Sequence, residues 1–313
     1  MKKQTKIAAV LSAAAFMMMV SGLPVYAASY GWVTEGDAKV YYDEDGYLTT
    51  DAWRKRGEDW FYLGEDGQIV KSKKIEEYYV DDEGKMVTNA WVELKNEEDP
   101  DSPETPDTFW YYFEKDGKSA VSKWVKFDSK WYYFDESGHM ATGKTEIDGA
   151  TYYLGTEKDG FMRTGWIRLE ENSHAPGASE SWYYFNSDGK MVTTQYDKKI
   201  DGSYYTFIDG KMQTGWVLMP SKSDVTDSNA ASPKITDYQY YGAAGDGKRA
   251  EGFRSIEGIS GIHAADEVYT FYFKAGKPYV SDKKGNSLFT INAKKYAFSD
   301  LGIMQTGRQI ANV

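Results

Sequence analysis

The residue types that carry most enzyme chemistry are scarce in this chain of 313 residues. It has no Cys, and its three His residues, His139, His174 and His263, stand alone in segments of turn or loop composition. None has a second His or a carboxylate at metal-ligand spacing, and H-E-x-x-H, G-x-S-x-G, P-loop and G-x-G-x-x-G motifs do not occur. The sequence therefore predicts no catalytic residue, no metal and no cofactor.

Acidic clusters at 43–46 and 81–84 are better explained by turns than by chemistry. They lack the twelve-residue ligand pattern of an EF-hand calcium loop, and they stand where a turn recurs along the chain. A carboxylate pair for glycoside hydrolysis should be unique to one place, whereas these acids repeat. The chain is not expected to be an enzyme.

Aromatic side chains are the abundant chemical groups of this sequence. Tyr (26), Phe (14) and Trp (10) make up 16% of the residues. Many rings in a polar background favour β-strands and exposed stacking surfaces over a thick aliphatic core. The 30 Gly residues suit the tight turns that would join such strands.

Most of these aromatic residues belong to one phrase that recurs along the chain. Its clearest copy is WVKFDSKWYYFDESGHMATGK at 124–144, and related copies begin at Trp110 and Trp182. The turn glycines Gly46 and Gly67 are 21 residues apart, which is typical of the spacing elsewhere. A unit of this length cannot fold alone and must stack on its neighbours. The sequence predicts an all-β solenoid of about ten to eleven stacked short β-hairpin repeats of about 20 residues.

Each unit reads as a β-hairpin. Trp124–Lys126 forms one short strand, residues 127–130 turn, and Trp131–Phe134 forms the return strand, which is rich in β-formers. Because side chains alternate along a strand, Trp131 shares one face with Tyr133, while Tyr132 and Phe134 share the other. One face is expected to pack into the stack, and the other to contribute to a site between hairpins.

This phrase resembles the choline-binding or cell-wall-binding repeats of Gram-positive surface proteins, whose pattern is similar to G-W-(x)n-W-Y-Y-F-x-x-x-G-x-M-x-T-G. Related repeats occur in glucan-binding modules and in the receptor-binding ends of large clostridial toxins. The resemblance covers about residues 31–308. It implies stacked hairpins with ligand pockets between successive units, each built from two Trp of one repeat and a Tyr of the next, often with a Met nearby.

Carried onto this sequence, the resemblance implies four ligand-binding sets, and Met140 or Met162 as a side wall of the first. A quaternary ammonium donates no hydrogen bond, so its recognition relies on aromatic faces. The sets are Trp124, Trp131 and Tyr153; Trp53, Trp60 and Tyr79; Trp91, Trp110 and Tyr133; and Trp166, Trp182 and Tyr205.

Several repeats depart from the pattern. Lys73-Lys74 and Glu77 replace the Trp pair in one unit, Lys144 and Thr151 in a second, and Tyr196 and Ser203 in a third. We expect these units to complete a neighbour's pocket without starting one. No Trp follows Trp216, so the last repeats are expected to be a structural cap.

Insertions between the two aromatic strands are expected near 93–108, 170–180, 217–237 and 255–268. The first is acidic and contains three Pro, which favours a solvated loop. Two interpretations stay open for them. They are tolerated surface loops, or they form a fringe that contacts a protein partner.

The first residues predict export. Basic Lys2, Lys3 and Lys6 precede an apolar run and the small-residue pattern Val25-Tyr26-Ala27, which indicates a signal peptide at 1–27 and a repeat array at 28–313. No later stretch is apolar enough to span a membrane. The full chain has a net charge of −11, and without the signal about −14, which argues against nucleic acid as a partner.

These observations predict a non-catalytic secreted protein attached to the cell wall of a Gram-positive bacterium. Its expected partner is a cell-wall polymer, with choline on teichoic acids as the ligand. One alternative is binding of peptidoglycan or glucan by aromatic stacking. Another is a structural spacer or adhesin that presents the acidic loops, and a third is a degenerate wall hydrolase without its active domain.

Overall fold

The computed structural model describes residues 30–97, 105–170, 180–220, 232–264 and 266–307. The predicted signal peptide, 1–27, lies outside these ranges. The chain divides into two compact units, residues 1–120 and 121–313. Both are built from antiparallel hairpins, and the helical element within the described ranges is one short 3-10 turn at Ile235–Asp237. The predicted all-β fold of stacked hairpin repeats is confirmed.

The first unit contains four hairpins within its described residues. Their strands are β1 (Gly31–Glu35) with β2 (Ala38–Tyr42), β3 (Ala52–Arg56) with β4 (Asp59–Leu63), β5 (Lys73–Ile75) with β6 (Tyr78–Val80), and β7 (Ala90–Lys95) with β8 (Thr108–Phe113).

The second unit contains seven hairpins within its described residues, two of them extended by a short third strand. They are β9 (Lys123–Phe127) with β10 (Lys130–Phe134), β11 (Lys144–Ile147) with β12 (Ala150–Tyr153), β13 (Gly165–Glu170) with β14 (Glu180–Phe185), β15 (Gln195–Ile200) with β16 (Ser203–Ile208) and β17 (Lys211–Met212), β18 (Gly215–Leu218) with β19 (Tyr238–Tyr241), β20 (Gly252–Glu257) with β21 (Val268–Lys274) and β22 (Lys277–Pro278), and β23 (Asn286–Ile291) with β24 (Lys294–Ser299).

The hairpin β9–β10 shows how the repeat sequence forms this structure. Asp128 and Ser129 connect its strands with φ of 47° and 65°, the left-handed pair that a two-residue hairpin turn requires. The register places Trp124 opposite Tyr133 and Lys126 opposite Trp131. Both strands extend slightly beyond the predicted bounds, and the predicted hairpin is present.

Period-two alternation gives each hairpin two distinct faces. The front face carries the first Trp, the second Trp and the residue two positions after it, as in Trp124, Trp131 and Tyr133. The back face carries the intervening residues, Tyr132 and Phe134. The last back-face position is 0% exposed in ten hairpins: Leu63, Val80, Phe113, Phe134, Leu154, Phe185, Phe207, Tyr241, Phe273 and Phe298.

A main-chain hydrogen bond links successive hairpins. The N–H two residues after a turn glycine donates to the carbonyl at the second-Trp position of the preceding hairpin. The N–H of Met162 reaches the Trp131 carbonyl at 2.8 Å, and that of Met191 reaches the Thr151 carbonyl at 2.8 Å. Because the bond uses only backbone atoms, it persists where the side chain at the second-Trp position changes.

The turn glycine is required for both its conformation and its size. Gly189 has φ of +77°, and a Cβ placed there would lie 2.2 Å from Sδ of Met162 in the preceding hairpin. Gly117 has φ of +86° and would place its Cβ 2.7 Å from Sδ of Met86. The turn of one hairpin thus packs directly on the Met of the hairpin before it.

The four predicted insertions fall between paired strands. β7 ends at Lys95 and β8 begins at Thr108, and the buried Asn96 donates its side-chain amide to the Pro106 carbonyl at 3.0 Å. The insertion near 255–268 joins β20 to β21. Residues 98–104, 171–179 and 221–231, which form much of the other three insertions, lie outside the described ranges.

Replacing Gly189 with Ala is expected to lower the free energy of unfolding by about 1–3 kcal/mol. The left-handed backbone at this position is unfavourable for Ala, and the new Cβ would also clash with the Met162 sulfur. Urea unfolding followed by circular dichroism measures this. Gly202→Ala is the matched control, since its φ is +84° but its Cβ would meet nothing within 4 Å. Equal losses in the two variants would contradict a packing role for Gly189.

Candidate functional site

The best-formed candidate site lies between the hairpins β13–β14 and β15–β16. The Trp166 ring packs against Tyr205 of the next hairpin, with centroids 4.8 Å apart and planes at 62°. It also meets Trp182 of its own hairpin at 6.5 Å and 82°. Steep angles between neighbouring rings form walls around a space, whereas a flat stacking platform needs nearly coplanar rings.

These rings line a cavity of about 270 Å³. The predicted set Trp166, Trp182 and Tyr205 is therefore brought together in one place. Met212 of the second hairpin adds a further apolar wall, as the resemblance implied for a Met. The turn of the third hairpin completes the lining with Gly245, Asp246 and Lys248.

Asp246 and Lys248 give this cavity a polar rim that the sequence analysis did not predict. The Lys248 ammonium lies 3.4 Å from an Asp246 carboxylate oxygen, and both side chains are about half exposed. They belong to a turn two hairpins beyond Trp166. The spacing of residues within one hairpin gives no indication that a turn two hairpins away lines the same cavity.

The Trp124 and Trp53 sets differ from the prediction at the Tyr wall. Trp124 packs against Tyr152 at 4.9 Å, and Trp53 packs against Tyr78 at 5.3 Å. The predicted walls, Tyr153 and Tyr79, lie on the opposite face of their strands. There Tyr153 meets Phe185 at 6.2 Å, and Tyr79 stacks on Phe113 at 5.9 Å.

Alternation along the return strand explains this difference. The wall is the residue that packs on the first Trp of the preceding hairpin. It directly follows the second-Trp position of its own hairpin. Because side chains alternate along a strand, it lies on the back face, which meets the front face of the preceding hairpin. In Ser203-Tyr204-Tyr205 the second-Trp position is held by Tyr204, so the wall is Tyr205. In Thr151-Tyr152-Tyr153 that position is held by Thr151, and the wall is Tyr152.

The second Trp of these two sets is the more accessible ring. Trp60 and Trp131 are each 41% exposed. Their carbonyls accept the N–H groups of Met86 and Met162, both at 2.8 Å, which fixes the position of each Met relative to its Trp. Lys126, opposite Trp131 in the register, holds its Nζ 5.7 Å from that ring.

The Trp91 and Trp110 pair lies in the first unit. Its rings meet at 6.4 Å and 72°, and Trp91 also packs on Tyr112 at 5.3 Å. The third predicted member, Tyr133, belongs to the second unit, where its ring packs on Trp124 at 5.3 Å.

Two other Trp residues, Trp32 and Trp216, have no second Trp on their hairpin. Their indole N–H groups donate to the carbonyls of Lys55 at 2.9 Å and Glu257 at 3.0 Å, each in the next hairpin. Trp216 also packs on Phe271 at 5.1 Å. These contacts assign both indoles to the packing between hairpins.

The histidines and acidic clusters make structural contacts. His263 accepts the Ile259 N–H on Nδ1 at 2.8 Å, and its Nε2 lies 2.9 Å from the Leu301 carbonyl. His174 lies outside the described ranges. Asp43 and Asp81 accept backbone N–H groups of their own turns, at 2.8–3.1 Å.

Within the described ranges, no cluster of three or more His, Cys, Asp or Glu residues is arranged to hold a metal ion. The same ranges contain no helix with the length and hydropathy needed to cross a membrane.

The fold and the cavity together define a class of all-β repeat protein whose aromatic pockets lie between successive hairpins. A family model described as choline-binding repeat matches residues 121–166, and one described as cell wall binding repeat matches 178–191. The resemblance to choline-binding and cell-wall-binding repeats is therefore confirmed over these residues. A model described as flagellin protein matches residues 3–91, a range whose described part forms hairpins of the same repeat.

Two curated streptococcal enzymes contain similar sequence. Glucosyltransferase-S of Streptococcus mutans is 28% identical over 193 residues, which covers 56% of this chain and 10% of that protein. Glucosyltransferase-I of Streptococcus downei is 26% identical over 310 residues, which covers 88% of this chain and 17% of that protein. The matched regions are thus small parts of much longer relatives.

Solved structures from Streptococcus pneumoniae share the fold. The modular autolysin LytC, in complex with a synthetic peptidoglycan ligand, has a TM-score of 0.53 at 21% identity, covering 88% of this chain and 53% of that one. CbpJ has a TM-score of 0.53 at 20% identity and covers 90% and 96%.

The two Trp positions of a hairpin should differ in their contribution to stability. Trp166→Ala is expected to lower the free energy of unfolding by about 3 kcal/mol, because the ring packs on Trp182, Tyr205 and other rings of two hairpins. Trp131→Ala should cost less, about 1 kcal/mol, because that residue is 41% exposed. Urea unfolding of both variants measures the difference, and similar losses would show that the two positions are equivalent.

Proposed function

We propose that this chain is a non-catalytic, secreted protein that attaches to the bacterial cell wall by binding choline groups in its inter-hairpin aromatic boxes. The observation that carries the proposal is the cavity between Trp166, Trp182, Tyr205 and Met212. Trp166 stands at 62° to Tyr205 and at 82° to Trp182, so these rings enclose a space instead of offering one flat face.

A quaternary ammonium suits such a box because its charge is spread over methyl groups that pack on ring faces. Each cation–π contact contributes about 0.5–2 kcal/mol, depending on desolvation. Three walls give an affinity on the order of millimolar. The Asp246 carboxylate balances Lys248 at the rim, which keeps the mouth from repelling a cation.

Several aromatic sites on one chain would allow firm attachment to a wall polymer. Four hairpins carry a Trp pair, and a choline-bearing teichoic acid presents many ligands on one chain. Engaging several weak sites raises the overall avidity by roughly 10²–10⁴ without any new contact. The signal peptide at 1–27, the array at 28–313 and a protein partner at the acidic insertions belong to the same proposal.

Glycan binding is the second candidate. It is favoured by the accessibility of Trp60 and Trp131, each 41% exposed, since open indole faces also stack on sugar rings. The similarity to two glucosyltransferases supports it as well. The angles between the rings of the Trp166 box favour choline over this alternative.

Choline titration of protein labelled with 5-fluorotryptophan tests the proposal ring by ring through ¹⁹F NMR. We expect the Trp166 and Trp182 signals to shift saturably, with a midpoint on the order of millimolar. The Trp32 signal is the internal control, because its indole N–H is bonded within the stack. Tryptophan signals that respond to a glucan oligosaccharide but stay unchanged at about 100 mM choline would reject choline in favour of glycan.

The rim carboxylate should contribute to affinity. Asp246→Asn leaves the Lys248 charge unbalanced, so the choline midpoint of the Trp182 signal is expected to rise about two- to fivefold. The effect should shrink at high salt, because the carboxylate is half exposed. Asp37→Asn, at the exposed tip of the first hairpin, is the control, and an unchanged midpoint in Asp246→Asn would remove the rim from the binding mechanism.

A further inference from the structure

Among the hairpins from β3–β4 to β15–β16, three lack the Trp pair, and in two of these a Lys stands at the first-Trp position. In β5–β6 the register places Lys74 opposite Tyr79, and in β11–β12 it places Lys144 opposite Tyr153. The register of β9–β10 places Trp124 opposite Tyr133 in the same way. Each Lys side chain therefore starts from the point where another hairpin starts its first Trp.

The ammonium groups of these lysines lie on the ring that forms the box wall elsewhere. Lys74 Nζ is 4.6 Å from the centroid of Tyr111, and Lys144 Nζ is 5.4 Å from that of Tyr183. Both Tyr residues directly follow a second-Trp position in the next hairpin, as Tyr205 does in the Trp166 box. Both separations fall within the range of about 6 Å for a cation–π contact. Both are shorter than the separations at two Trp-pair sites, where Lys126 Nζ is 5.7 Å from the centroid of Trp131 and Lys118 Nζ is 5.9 Å from that of Tyr78.

The third hairpin, β15–β16, receives its cation from the following hairpin. Tyr204 holds the second-Trp position, and Arg249 holds the position that Met162 and Met191 hold in other repeats. The Arg249 guanidinium lies 4.0 Å from the Tyr204 centroid. The Arg249 N–H donates to the Tyr204 carbonyl at 2.8 Å, the same backbone bond that the Met residues make.

A buried network fixes that guanidinium in place. Arg249 lies 2.9 Å from the Asp197 carboxylate, which also accepts the Tyr241 hydroxyl at 2.9 Å. Burial raises the pKa of Tyr241, so the hydroxyl keeps its proton and remains a donor. Thr206 in turn donates to the Tyr241 oxygen at 2.7 Å.

We propose that Lys74, Lys144 and Arg249 are internal ligands: each places the chain's own cation on an aromatic ring of an inter-hairpin site that lacks a Trp pair, and excludes an external ammonium from that site. Cation-accepting and cation-filled sites then alternate along β9 to β16, with Trp pairs in β9–β10 and β13–β14 and internal cations in β11–β12 and β15–β16. The inference rests on the proposed function, in which the Trp boxes take a cation.

Tethering makes this exclusion effective. A free ammonium ion must pay the full cost of association, whereas the Lys144 ammonium is held near Tyr183 by its own backbone at a high effective concentration. The filled sites also keep their contacts in the absence of any ligand. The spacing between choline sites on the protein is thereby set by the residue at the first-Trp position.

A choline-dependent experiment isolates the charge of Lys144. Thr151→Trp places a reporter indole at the second-Trp position beside Tyr183, and its ¹⁹F signal is followed in 5-fluorotryptophan-labelled protein. With Lys144 present we expect no response up to about 100 mM choline. Lys144→Met is then added, which keeps the apolar stem of the side chain and removes its charge. In this protein we expect a saturable shift whose midpoint is at least about tenfold below that limit of about 100 mM. Equal responses would overturn the proposal, and so would no response in either protein while the Trp182 signal shifts with choline.

A second measurement needs no choline and keeps the two proposals separate. Lys144→Met in the otherwise unchanged protein is expected to lower the Tm by about 1–4 °C, whereas Lys144→Arg, which retains a cation, should leave it unchanged. Lys190→Met, at an exposed turn position, is the matched control. An unchanged Tm in Lys144→Met would refute the internal contact. If the Trp182 signal ignores choline while this loss is found, the choline proposal fails and the internal cation stands.

Discussion

Ring packing from the front face of one hairpin onto the back face of the next is the interaction on which this structure depends. A two-stranded hairpin is marginal in water by itself, because it buries one side of its rings at best. Here Trp124 reaches Tyr152, and Trp166 reaches Tyr205 and Phe207, in the following hairpin. The last back-face position of the return strand is completely buried in ten hairpins as a result.

The candidate ligand sites are parts of that same packing. In each hairpin with a Trp pair, the first Trp belongs to the stack and the second stands at its edge. Under the proposed function, a cation that carries apolar methyl groups fills the space that remains between the hairpins. Binding then extends the packing between repeats instead of using a separate pocket. This explains why residues that stabilise the fold and residues that bind are neighbours on one strand face, and why ligand should also add stability.

Backbone contacts allow the side chains of these sites to vary. The hydrogen bond to the second-Trp carbonyl is the same whether that residue is Trp60, Thr151 or Tyr204. The turn glycine keeps the preceding Met in place in a similar way at Gly117 and Gly189. Since the register between hairpins does not depend on the Trp pair, a repeat can exchange Trp for Lys without disturbing its neighbours.

The sequence by itself determined the hairpins, their strands and the alternation of two aromatic faces along each return strand, because these follow from local periodicity and turn chemistry. It also grouped Trp166, Trp182 and Tyr205, which line one cavity because pattern and strand face agree there. Only the tertiary structure decided that Tyr78 and Tyr152, not Tyr79 and Tyr153, pack on the first Trp of the preceding hairpin, and that Asp246 and the Lys144 ammonium lie beside aromatic rings. Those contacts depend on which face of one hairpin meets the next, and a phase error of one residue moves a side chain to the opposite face.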